Sequence, residues 1–171
     1  MVIEGEGNAY VQKNARIGQY ARVFDNANIG GDARISGHAV VCGNARVSDH
    51  AVIMDYAVIC GNAKVYSGAK VYDFVTVSGD ACIFGDSSLR DNVIVEGNVT
   101  IGNHVIIKDR VIVKGYGYIT NYTHIEGDLV INGEDPDFRL SFPCTLKGKC
   151  EIKSNDDIIF ITNGDTCTSS Q

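Results

Sequence analysis

The sequence predicts an all-β chain wound as a parallel β-helix of about seven coils of 18 residues, on three observations. An aliphatic residue recurs at every sixth position, a second small or aliphatic set lies two residues before each, and turn residues fill the gaps. The first series runs Val11, Ile17, Val23, Ile29, Ile35, Val41, Val47, Ile53, Ile59, Val65, Val71, Val77, Ile83, Leu89, Val95, Ile101, Ile107, Val113, Ile119, Ile125 and Ile131 without a slip. A period of six fits neither the 3.6 of a helix nor the alternation of a plain strand. It fits a short strand followed by a tight bend. Three such units close a coil, and each coil hydrogen-bonds to the next at about 4.8 Å. No unit can bury its apolar face alone, so stacking supplies the core.

The second inward set is alanine from Ala9 to Ala69. It then mostly enlarges through Val75, Ser87, Val93, Val99, Val105, Val111, Thr123 and Leu129, while Ala81 and Gly117 stay small. Pairs such as Gly43-Asn44, Gly61-Asn62, Gly79-Asp80 and Gly97-Asn98 supply the left-handed backbone of the bends. The expected organisation is a β-helix over 1–132, then a C-terminal capping segment and tail over 133–171. Pro136, Pro143 and Asp135-Pro-Asp-Phe138 mark the change. Phe138 to Phe142, Thr145 to Ile152 and Ile158 to Thr162 read as short strands there. Covering an open β-edge guards against aggregation.

Stepping by 18 turns the sequence into columns. One outward column reads Arg22, Val40, Val58, Thr76, Ile94, Ile112, Val130, and Phe24, Cys42 and Cys60 lie on the same face. An adjacent corner column reads Tyr20, His38, Tyr56, Phe74, Asn92, Arg110, a ladder of rings. Together they form a patch large enough to mark an interaction surface. The expected oligomer interface is therefore Phe24, Val40, Val58, Thr76, Ile94, Ile112 and Val130. Tyr20, His38, Tyr56, Phe74 and Arg110 are candidate contacts for a ligand or partner. The column Asp55, Asp73, Asp91, Asp109 offers oxygen ligands to a hard cation, but aspartate is also an ordinary turn residue and calcium needs six or more converging oxygens. Arg90, Lys108, Arg110 and Lys70 are expected to offset that acidic column.

The pattern [Ile/Val/Leu]-x-x-x-[Ala/Ser/Val]-x, as in Ile29-Gly-Gly-Asp-Ala33-Arg and Ile101-Gly-Asn-His-Val105-Ile, resembles the hexapeptide-repeat superfamily over residues 9 to 131. The resemblance implies a left-handed helix and points to homotrimers. The superfamily includes acyltransferases, γ-class carbonic anhydrases and many uncharacterised proteins. The Gly-Asn-Ala-x-Val variety looks like uncharacterised bacterial and phage proteins.

With a net charge of −6, the chain disfavours nucleic acid as a partner, although an acidic solenoid could mimic one. Apolar runs are too short to span a membrane. The start Met1-Val2-Ile3-Glu4-Gly5 is unlike a signal peptide, so the expected setting is cytoplasmic with reduced thiols. None of the six cysteines forms a C-x-x-C pair. His50 and His104 share a column about 14 Å apart, too far to share a metal. No metal site and no cofactor is expected.

His104 is the one candidate for a catalytic base, because a general base must reach the proton it takes. Set against a transferase are the lack of any extruded loop between Val11 and Ile131 and the simpler reading of His104 as an exposed turn residue. The favoured function is a non-enzymatic, homo-oligomeric scaffold or interaction protein that binds a partner or small ligand in inter-subunit grooves. The alternatives are an acyl-CoA-dependent acyltransferase with His104 as base, and a protein that sequesters a small or nucleotide-like ligand.

Overall fold

The computed structural model describes residues 2–3, 7–141 and 145–152. Within them the chain forms 22 strands and no helix. All the paired strands run parallel, and the register over the repeat is 18 residues. On the first face Arg22, Val40, Val58, Thr76, Ile94, Ile112 and Val130 pair in turn, so the apolar column lines up as the sequence requires. The second face carries Tyr10, Asn28, Arg46, Lys64, Cys82, Thr100 and Tyr118. The third carries Arg16, Arg34, Val52, Lys70, Ser88, Ile106 and His124.

From Ala21 onward both inward series are buried, and full burial of each Val, Ile or Leu stabilises the fold by about 1.5–3 kcal/mol. The corners follow from backbone sterics. Gly43 and Gly61 adopt φ of 66° and 67°, and a Cβ on either would lie about 3 Å from the backbone of the coil beyond. Asp55, Asp73, Asp91 and Asp109 also adopt positive φ, a conformation costly for most side chains. Each of these carboxylates accepts a backbone N–H from the next coil, at 3.4, 3.0, 3.1 and 2.9 Å in order. Another corner carries an amide ladder, in which Asn26 donates to Asn44, Asn44 to Asn62 and Asn62 to Asp80 at 2.9–3.2 Å.

Two hydroxyls sit inside the core and both are satisfied. Ser87 donates to the Phe84 carbonyl and Thr123 to the Thr120 carbonyl, each at 2.7 Å. Beyond Gly133 the winding resumes after a longer step. Tyr118 pairs with Arg139 and His124 with Thr145, a step of 21 residues in place of 18. Thr145–Ile152 then runs in parallel register with His124–Ile131 and adds a further coil. The longer step delivers Phe138 to the interior, where its ring occupies the space that a Cβ on Gly117 would need. The expected strand at Ile158 to Thr162 lies outside the described residues. No described helix is long and apolar enough to cross a membrane.

Candidate active site

At the corner between the second and third faces, one column reads Asp32, His50, Gly68, Asp86, His104, Tyr122. The column beside it reads Gly31, Asp49, Ser67, Gly85, Asn103, Asn121. The 18-residue register stacks each histidine on an aspartate. His50 Nδ1 lies 3.8 Å from Asp32 Oδ2, and His104 Nδ1 lies 3.6 Å from Asp86 Oδ2. Between the two pairs, Gly68 leaves the corner without a side chain. An open trough of about 660 Å³ results, lined by Gly31, Asp32, Asp49, His50, Ser67, Gly68 and Asp86.

Gly68 leaves room for a side chain of the next coil. A Cβ at this position would lie 2.4 Å from Asp86 Oδ1, so the carboxylate leans over the glycine while its other oxygen faces His104. His104 has φ of 65° and its ring stacks on Tyr122, with centroids 4.8 Å apart and planes at 14°. The ring thus stacks on a phenol on one side and has a carboxylate 3.6 Å from Nδ1. A carboxylate at Nδ1 favours the tautomer in which Nε2 is free to accept a proton. At 3.6 Å the contact is longer than a hydrogen bond, as catalytic contacts often are before substrate tightens them.

The other expected residues lie elsewhere. Tyr20, His38, Tyr56 and Phe74 do form a ladder, with successive centroids 5.2–5.3 Å apart and planes within 18°. It borders the first face, whose column includes the partly exposed Ile94 and the half-buried Val40, Val58, Thr76, Ile112 and Val130. Phe24 on that face lies under the Arg22 guanidinium, 5.3 Å from its ring centre. Arg110 binds Asp128 at 3.0 Å and does not serve the acidic column. The expectation that cations offset that column is corrected for Arg110 and Lys108: Lys108 meets Glu126, and backbone amides answer the aspartates. Among the described residues no group of three or more His, Cys, Asp or Glu side chains could hold a metal ion.

Cys42 and Cys60 are free and half-buried, and burial together with the neighbouring Cys60 thiol pushes the Cys42 thiol up. Tyr66 accepts a hydrogen bond from Cys82 Sγ at 3.5 Å; this contact and burial push its phenol up to about 12, away from acid–base work near neutrality. Asp86, Asp32 and Gly68 escaped the sequence reading, although stepping by 18 from His104 arrives at Asp86 at once.

No protein-family model and no curated protein matches the chain. Solved structures do. The UDP-N-acetylglucosamine O-acyltransferase LpxA from Moraxella catarrhalis aligns at 18% identity with a TM-score of 0.51, over 80% of this chain and 68% of that one. The fold is a left-handed parallel β-helix. UDP-N-acetylglucosamine acyltransferases from Arabidopsis and Campylobacter jejuni align at 14% and 21% identity, with TM-scores of 0.46 and 0.36. The Arabidopsis match covers 83% of this chain and 64% of that one; the Campylobacter match covers 82% and 70%. The Moraxella match counts against the expectation of a non-enzymatic scaffold. That structure is an acyltransferase, and the acyl-transfer alternative accords with it better than the scaffold does.

Proposed function

We propose that this protein transfers an acyl group from a thioester such as acyl-CoA to a hydroxyl or amine of a small acceptor, with His104 as general base. The observation that carries the reading is the Asp86–His104 pair beside an open trough, on the fold of a UDP-N-acetylglucosamine O-acyltransferase. The acceptor O–H or N–H gives its proton to His104 Nε2 as its heteroatom attacks the thioester carbonyl. The C–S bond then breaks, and the leaving sulfur takes the proton back from the imidazolium. Asp86 orients the ring and stabilises the cation that forms. His50, set on Asp32 at the other end of the trough, offers a second polar contact to the acceptor.

Self-association through Val40, Val58, Thr76, Ile94, Ile112 and Val130 accompanies this reading, as a trimer. That face is opposite the His104 corner, so each subunit keeps its own trough open. The setting is the cytoplasm, where acyl-CoA is at hand.

The decisive experiment mixes the protein with acetyl-CoA and candidate acceptors and follows release of free thiol. Loss of the base should slow turnover by about 10²–10⁴-fold in His104→Ala. Calorimetry that detects no acetyl-CoA binding, or turnover unchanged in His104→Ala, would refute the assignment. Ile94→Asp combined with Ile112→Asp should give monomers by light scattering, and an unchanged oligomer would remove the first face as the interface.

A further inference from the structure

An acidic chain here carries one basic face. The outward positions of the third face hold Arg16, Arg34, Lys70, Arg90, Lys108 and Lys147 against a single acid, Glu126. Near the C-terminal end these cations converge. Lys108 Nζ lies 2.5 Å from Glu126 Oε2, and Lys147 Nζ lies 2.5 Å from Oε1. His124 Nε2 lies 3.4 Å from the same carboxylate, and this buried nitrogen makes no hydrogen bond. The two lysine contacts hold the Glu126 carboxyl down at about 2, and burial pushes His124 below its ordinary value.

One coil before Lys108 stands Arg90. Its Nε is buried and makes no hydrogen bond. The nearest carboxylate oxygen, Asp91 Oδ2, is 3.9 Å away and already accepts the Asp109 backbone N–H. A buried donor left unpaired is costly. The row Arg90, Lys108 and Lys147 presents three cations with one carboxylate, Glu126, between the lysines, and the half-exposed Arg90 has its closest carboxylate contact at 3.9 Å.

We propose that this row on the third face binds a phosphate or diphosphate group, with Glu126 filling part of the site as an internal anion when no ligand is present. The planar guanidinium of Arg90 matches the spacing of phosphate oxygens, and the lysines add point charges on either side of Glu126. Lys108 follows His104 by four residues on the same coil, so a phosphate held here lies on the face next to the candidate catalytic corner. The site itself does not depend on acyl transfer.

The test is calorimetric titration of the full chain with inorganic pyrophosphate at low salt. A charge-assisted hydrogen bond is worth enough that Arg90→Ala should weaken binding by about tenfold or more. Arg90→Lys should fall between that variant and the natural protein, and Glu126→Gln should bind several-fold more tightly. His104→Ala should bind pyrophosphate as the natural protein does, which separates this site from the catalytic proposal. Thermal melts of each variant report whether it is folded. No pyrophosphate binding by the natural protein, or equal affinity in folded Arg90→Ala or Arg90→Lys, overturns the site.

Discussion

The coils before Val95 and those after Ile112 are built from the same six-residue pattern, yet they turn their corners differently. From Tyr10 to Val95 every strand is two residues long. From Ile112 the strands are mostly longer: Ile112–Ile119, His124–Gly133 and Thr145–Ile152 run eight to ten residues and pass through corners. The φ values mark the change. Corner residues Asp25 to Asp73 lie between 56° and 67°, whereas Gly115, Gly117, Gly127 and Gly148 lie between 82° and 122°, although the corner at Asn121 and Tyr122 keeps the tight form at 61° and 60°. Tight corners are held by side-chain ladders of amides, carboxylates and rings that repeat from coil to coil. Open corners are held by continuous backbone pairing and by a ring pushed into the core. Periodicity alone therefore fixes where side chains point, and the corner residues decide how the coil is braced.

Four substitutions put this contrast under strain. The largest effect should come from Phe138→Ala, which empties the space above Gly117 and should cost about 3–5 kcal/mol. Chemical denaturation should show it, and hydrogen exchange should place the loss in the last coils; protection lost evenly along the chain would break the distinction. Ala57→Val in the tight half overfills an interior already closed by alanine, at about 1–3 kcal/mol. Thr123→Val removes the hydroxyl that satisfies the Thr120 carbonyl and should cost about 1–3 kcal/mol for the orphaned acceptor. An equal melting temperature in that variant would show that the buried hydroxyl is incidental.

The smallest effect is a response to acid. Glu126 has a folded pKa of about 2, below its ordinary 4.5, so its contribution is complete above 4.5 and is lost as pH falls towards 2. Melting temperature across that window should therefore fall less steeply in Glu126→Gln than in the natural protein. Identical slopes would show that the Lys108 and Lys147 contacts add nothing to the last coils.

Much of this was legible in the residues. The unbroken series from Val11 to Ile131 specified the winding, and stepping by 18 placed Val40, Val58, Ile94 and Ile112 on one side. Tyr20, His38, Tyr56 and Phe74 were placed in a stack by the same step. The candidate corner was harder to read. His104 stood out as a residue type, but its partner is Asp86, on the coil before, and the trough exists because Gly68 lacks a side chain. Phe138 was obscure for a different reason. It belongs to no sixth position, and its return to the interior depends on the gap at Gly117 and on a step lengthened by three residues. Function was the least legible, because a smooth prism with no extruded loop gave no sign that two His–Asp pairs would flank a hollow.

The stretched step after Gly133 has a practical consequence. Three surplus residues enter at one bend, yet His124 and Thr145 still meet in register on the following side. Length can therefore change at a vertex without disturbing the storeys above or below it. Near Glu134 and Asp135 the molecule should accept a grafted epitope or a flexible spacer, provided that Phe138 still finds its socket. A tower of this kind can be lengthened or decorated at its edges while its walls stay untouched.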